Sequence, residues 1–185
     1  STSPVLSPSS WIAAPTATVD TSIPTELLLE RAWTAASLAM VLALAASAAA
    51  LHLRKRRWTR REMAGADVLV APDAGPAVVG LVRPRIVVPA WLLQAPALQQ
   101  SLVIAHEKSH VEARDPHLLA FAIGVVVLMP WNLPLWWMLR RLRHAIEFDC
   151  DARVLRGGHD LRAYGETLLD VGQRQSGYLG AAAAM

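Results

Sequence analysis

Residues 32–53 carry no charged side chain, and this run of roughly 22 positions constrains the chain more than any other feature. A helix needs about 20 apolar residues to cross a hydrocarbon core about 30 Å thick. Arg31 bounds the run on one side. On the other stand Arg54, Lys55, Arg56, Arg57, Arg60 and Arg61, six of the eighteen basic residues. Cytoplasmic flanks hold the excess of Lys and Arg, so the basic cluster is expected in the cytoplasm and the chain before the run outside. No recognition motif accompanies the cluster, and no nucleic-acid partner is predicted. Composition agrees with contact with a lipid bilayer: 54% of residues are hydrophobic, with seven Trp against two Phe, and Trp favours membrane–water interfaces. The one cysteine, Cys150, excludes an internal disulfide framework.

Along the chain, residues 1–24 are rich in Ser, Thr, Pro and Ala and read as a flexible exoplasmic segment. Residues 25–61 read as a transmembrane helix, with Thr25 as its cap, followed by the basic anchor. Residues 62–175 form the expected compact domain and 176–185 a tail. Short β-branched runs at 68–70, 77–79 and 85–88, punctuated by Pro and Gly, predict a small antiparallel sheet of two or three strands. So small a sheet has to pack on a helix. Helices follow at about 96–114, then an apolar 118–129 opened by Asp115 as cap and Pro116. Pro130, Asn132 and Pro134 interrupt it before a helix over about 135–156, stopped by Gly157 and Gly158. Leu135, Leu139, Leu142 and Ile146 stripe one face of that helix. A last amphipathic helix starts near Asp160, with Leu161, Tyr164, Leu168 and Leu169 expected inward. The fold class expected is therefore α+β, mainly helical and membrane-inserted.

The chemistry lies in His106-Glu107-Lys108-Ser109-His110, an H-E-x-x-H pattern. On a helix, positions four apart share a face, so both imidazoles reach one ion. Glu107, about 100° round the helix, can take a proton from a water that the ion polarises. A catalytic Zn2+ needs a third protein ligand and an open fourth position. Glu147 on the later helix is the candidate third ligand. Asp151, four residues further on, shares its face and is expected to accept the spare N–H of a ligand histidine. Cys150 reads as a small buried residue, with soft metal ligand as the less favoured role. His144 and Tyr164 are secondary candidates for an oxyanion donor.

These motifs stand in an order that resembles the BlaR/MecR-type membrane metallopeptidases, the antibiotic-sensor family and its relatives. The matching residues begin with Gly80-Leu81-Val82-Arg83-Pro84-Arg85-Ile86-Val87-Val88-Pro89, then H-E-x-x-H with Asp115 after it. Asn132-Leu133-Pro134-Leu135-Trp136, Arg143 and Glu147-Phe148-Asp149-Cys150-Asp151-Ala152-Arg153-Val154-Leu155 follow, then Tyr164 with Leu168 and Leu169. The resemblance covers roughly residues 65–170. It implies a gluzincin-like zinc endopeptidase in a bacterial-type inner membrane, its active site facing the cytoplasm. It also implies a regulatory, signal-transducing role: cleavage of a cytoplasmic or membrane-proximal protein, or of the chain itself. No part of the chain corresponds to the penicillin-binding sensor domain of the antibiotic receptors, so a sensor or regulator is expected outside it. The alternative is a non-catalytic signalling or scaffold module that keeps the peptidase fold.

One ion shared by His106, His110 and Glu147 also restricts topology. A single crossing between them would put Glu147 on the wrong side of the bilayer, and two crossings need about 40 residues. The expectation is a re-entrant or interface-lying helical hairpin bent at 130–134. Arg114 at its entry and Arg140, Arg141 and Arg143 at its exit would anchor it. An extended peptide substrate is expected to add as a strand along residues 86–88.

Overall fold

The computed structural model describes residues 24–72 and 74–183, with side chains through residue 174. The expected exoplasmic segment lies, except for Pro24, outside the described residues. Helix α1 (Thr25–Lys55) contains the whole charge-free run. Pro24 rather than Thr25 is its N-cap, and no side chain caps it. Pro24 fixes an extended entry and its own carbonyl takes the first amide hydrogen bonds, from Leu27 and Leu28. No residue of α1 is buried, and it is the one described helix long and apolar enough to cross a membrane.

Four strands follow: β1 (Thr59–Met63), β2 (Ala66–Ala71), β3 (Ala77–Val79) and β4 (Arg85–Pro89). Their order in the sheet is β1-β2-β4-β3. β1 pairs antiparallel with β2 across a two-residue turn, Ala64-Gly65, both with positive φ, the conformation that suits the right-handed twist of a hairpin. β4 pairs antiparallel with β3 but parallel with β2, Val68 facing Ile86 and Val70 facing Val88. The sheet is thus mixed, not antiparallel. The chain leaves β2, skips one strand's width to lay down β3, and turns back so that β4 fills the gap. That return needs Gly80, whose φ is +100° and whose missing Cβ would come within 2.9 Å of the Arg83 carbonyl oxygen. β1 begins inside the basic run and crosses the boundary expected at 61/62.

Met63, Val68, Val70, Ile86 and Val88 from one face of the sheet form a buried core with Leu92, Val103 and Ile104. The last two lie on α2 (Ala97–Glu112), so the sheet packs on the helix that carries H-E-x-x-H. Arg114 ends that segment in the left-handed conformation, φ +59°, and redirects the chain at once into α3 (Asp115–Leu128). α3 and α4 (Leu133–Arg156) pack together as a hairpin closed by residues 129–132. The turn is built from the sequence: Asn132 Oδ1 caps α4 at the Leu135 amide, and the Trp136 indole donates to the Pro130 carbonyl at 2.9 Å. The orphan carbonyl of Leu128 at the end of α3 accepts a 2.8 Å hydrogen bond from the Trp33 indole of α1. Trp33 also meets Trp131 edge to face, centroids 5.8 Å apart. Arg141 lies over the Trp137 ring, 5.1 Å from its centroid.

α5 (Leu161–Ala183) starts at the Asp160 cap, which accepts from the Ala163 amide. Its inward face includes Tyr164, as expected, but not the leucines expected beside it. Tyr164 and Thr167 are buried, whereas Leu161 and Leu169 are exposed and Leu168 is on the rim of a cleft. The phase is set by polar ties: the Tyr164 hydroxyl, and Asp170 accepting from Gln99 of α2 at 2.7 Å.

Candidate metal centre

α2 puts His106 and His110 one turn apart on the face turned toward α4, with their Nε2 atoms 3.3 Å from each other. Glu147 enters from α4, its Oε2 3.6 Å from His106 Nε2 and 3.8 Å from His110 Nε2. These three atoms form a nearly equilateral triangle. Its circumradius is about 2.1 Å, which matches the 2.0–2.2 Å bonds of zinc to imidazole and carboxylate. An ion at or slightly above the centre of that triangle keeps one side open. Glu147 is 60% exposed and comes to the triangle from the solvent side.

Cys150, fully buried, is close enough that one donor atom each from His106, His110 and Cys150 falls within 4.8 Å of the others, so these three could also hold a metal. Its sulfur, however, is 3.5 Å from Nδ1 of His106 and 3.4 Å from that residue's carbonyl oxygen. It thus sits behind the ring, whereas Glu147 and His110 share the Nε2 edge. One imidazole cannot offer both nitrogens to the same ion.

Behind the two histidines the partners differ. His110 Nδ1 is 2.8 Å from Asp115 Oδ2. Asp115 was expected as a helix cap, but the left-handed Arg114 turns it back, and as first residue of α3 it spends its carboxylate on His110 and on Arg153, 3.2 Å away. Charge-assisted bonds to two cationic partners outweigh one capping bond. Arg153 in turn donates to Ser109 Oγ at 2.7 Å and pairs with Asp149. Behind His106, the Tyr164 hydroxyl lies 2.7 Å from Nδ1 and donates to Asp151 Oδ1 at 2.7 Å, while Asp151 itself is 3.5 Å from Nδ1.

All five residues singled out in the sequence, His106, Glu107, His110, Glu147 and Asp151, line one cleft of about 610 Å³. Its other walls are Ala77 and Val78 of β3, Leu102 and Val103 of α2, Leu119 of α3 and Leu168 of α5. β4, where substrate was expected to add, is paired on both edges within the sheet. The free edge beside the cleft belongs to β3. His144 is exposed on α4 and does not line the cleft. The roles of Arg153 and Ser109 carried no sequence signal beyond their places in the quoted motifs.

The electrostatics favour a cation. Burial lowers His106, but the Cys150 thiolate and the Glu147 carboxylate beside it outweigh burial and hold it up at about 10; in turn, against burial, the two histidines bring the Cys150 thiol down to about 6. The Cys150 thiolate and the Asp115 carboxylate, working against burial, hold His110 up at about 9. The His106 imidazole draws Glu147 below its ordinary value. Burial, only partly offset by the two histidines, pushes Glu107 up to about 7, near where a general base works best at neutral pH. Without an ion, then, the cluster recruits protons. Ligand protons are what a metal displaces on binding.

A fold with H-E-x-x-H on a helix, two imidazoles and a carboxylate converging, and a cleft in front of them defines a metallopeptidase-type site. The chain belongs to the BlaR1 peptidase M56 family, whose sequence model matches residues 6–185. No curated protein is matched.

Proposed function

We propose that the chain is a membrane-embedded zinc endopeptidase, with His106, His110 and Glu147 as metal ligands and Glu107 as general base. The observation that carries this reading is the triangle of donor atoms, whose size suits zinc and whose members come from the family's motif helices. When bound, zinc supplies a Lewis acid that polarises water and the scissile carbonyl. Glu107, next to His106 in sequence and buried at the floor of the cleft, takes the water's proton and passes it to the leaving amine. Its raised pKa keeps it able to do both. Asp115 orients His110. An extended peptide would pair with the β3 edge at Ala77–Val79, its apolar side chains facing Leu102, Leu119 and Leu168.

The same reading places residues 25–61 as span and cytoplasmic anchor and 62–175 as the peptidase unit at the inner face of the membrane. The Trp33 bond to the Leu128 carbonyl supports insertion of the hairpin tip, because a helix end in lipid must have its backbone carbonyls satisfied internally. The substrate would be a cytoplasmic or membrane-proximal protein, in keeping with a regulatory role, and a sensor or regulator would act from outside residues 1–185.

The test is metal analysis of the purified full chain beside Glu107→Gln, with cleavage of a peptide library at the membrane. We expect about one zinc per chain in both, and cleavage reduced by about 10²–10⁴ in the variant. Zinc in both with no cleavage by the wild type would support a scaffold; no zinc in either would remove the assignment.

A further inference from the structure

The two histidines of the H-E-x-x-H helix are held from behind in different ways. His110 meets a carboxylate directly, Asp115 at 2.8 Å. His106 does not: Asp151, the carboxylate on its side, stands 3.5 Å from Nδ1. The gap is bridged by the hydroxyl of Tyr164, 2.7 Å from each. Tyr164 comes from α5 and is 2% exposed, packed with Leu102, Cys150 and Val154.

A phenol has one proton to give, and an ionised carboxylate can only accept. The Tyr164 proton therefore goes to Asp151, and a lone pair of its oxygen faces His106 Nδ1, which must carry a hydrogen. In the neutral imidazole that a metal requires, this fixes the tautomer in which Nε2, the atom facing His110 and Glu147, has its lone pair free for an ion. We propose that Tyr164 is a positioning residue for His106, relaying Asp151 to the metal ligand through its hydroxyl. The inference rests on the zinc reading above. It makes α5 an integral part of the metal centre, not merely a wall of the cleft. It also assigns the Tyr164 hydroxyl away from the role of oxyanion donor, since its proton is committed behind the ring.

The experiment compares the full chain in detergent micelles with Tyr164→Phe, Asp151→Ala and the double variant. Zinc affinity is read by chelator competition and ligand geometry by the visible spectrum of the cobalt(II) form. Tyr164→Phe removes one oxygen and keeps the packing. It should weaken zinc binding about 10–100-fold and shift the cobalt bands. The double variant should lose no more than the larger single loss, because both break the same chain. Zinc affinity within twofold of wild type in Tyr164→Phe, or single losses that multiply in the double variant, would overturn the proposal. So would lost cleavage with zinc affinity and cobalt spectrum unchanged, which is the mark of an oxyanion donor. Should the Phe variant not fold, Asp151→Ala breaks the relay from its solvent side and must by itself weaken zinc tenfold, or the proposal fails. A wild-type chain that takes up neither zinc nor cobalt removes the zinc reading itself, an outcome distinct from normal uptake with no effect of the variants.

Discussion

Glu147→Ala and Cys150→Ala should fail in opposite ways. Both residues lie near the histidine pair, but Glu147 faces Nε2 of both rings at 3.6 and 3.8 Å, while the Cys150 sulfur faces Nδ1 of His106 at 3.5 Å. On the proposed reading Glu147 is a ligand, and its side chain is mostly in solvent. Its removal should weaken zinc by more than the roughly 10–100-fold expected for an outer-sphere partner, and should leave the metal-free fold within about 0.5 kcal/mol of wild type. Cys150 is fully buried against Leu102, Val154 and Tyr164. Truncating it opens a small cavity at a cost of about 1 kcal/mol, with zinc affinity changed by no more than about threefold. Zinc titration against a fluorescent chelator gives the first axis and thermal melting in a chelating buffer the second. The crossed pattern, metal lost with Cys150 and kept without Glu147, would refute the triangle and make the cysteine the third ligand.

Protons should compete with zinc. With His106 held at about 10 and His110 at about 9, zinc affinity should rise with pH from 6 to beyond 9 in stepped competition titrations. Both imidazoles are raised above the ordinary 6.5, so their contribution to the metal-free fold is complete below that pH and is lost as pH rises through 9–10. Metal-free protein should therefore melt higher at pH 6 than at pH 10. Trp33→Phe keeps the ring contact with Trp131 but orphans the Leu128 carbonyl, at a cost of about 1–3 kcal/mol by thermal melting in micelles; no change would argue against a bond that matters. Cysteines introduced at Arg114 and Arg143 should be labelled from the same side of sealed vesicles, and labelling from opposite sides would exclude the folded-back hairpin.

That these residues share a cleft was legible because their spacing is helical: a step of four from His106 to His110 and of four from Glu147 to Asp151. What the sequence concealed is of three kinds. β1, Thr-Arg-Arg-Glu-Met, has exposed side chains at every position but the last; it is a strand by virtue of backbone pairing with β2, and no hydrophobic alternation announces it. The parallel pairing of β2 with β4 depends on β3 being laid down outside the place that β4 later takes, an order that short connections do not betray. Asp115 and the leucines of α5 were misread, though Tyr164 was not, because each had a local explanation, a cap before proline and a leucine stripe. What overrules them is tertiary: the left-handed Arg114 turns the Asp115 carboxylate onto His110 and onto Arg153 of α4, and α5 is phased by ties to α2, Tyr164 to His106 and Asp170 to Gln99.

α1 and the hairpin meet at Trp33, at the end of α1 away from the sheet, while the hairpin's legs pack on α2. The hairpin's two legs both reach the candidate metal centre, one supplying Asp115 at His110 Nδ1 and the other Glu147 at the two Nε2 atoms. It has the form of a tuning fork whose prongs flank the candidate metal centre and whose stem packs on α1, where the Trp33 indole is bonded to the Leu128 carbonyl and set against Trp131. On the proposed reading, loosening that contact would leave the prongs held to the histidine helix by their packing on α2 alone, and the donor spacing would then depend on that packing.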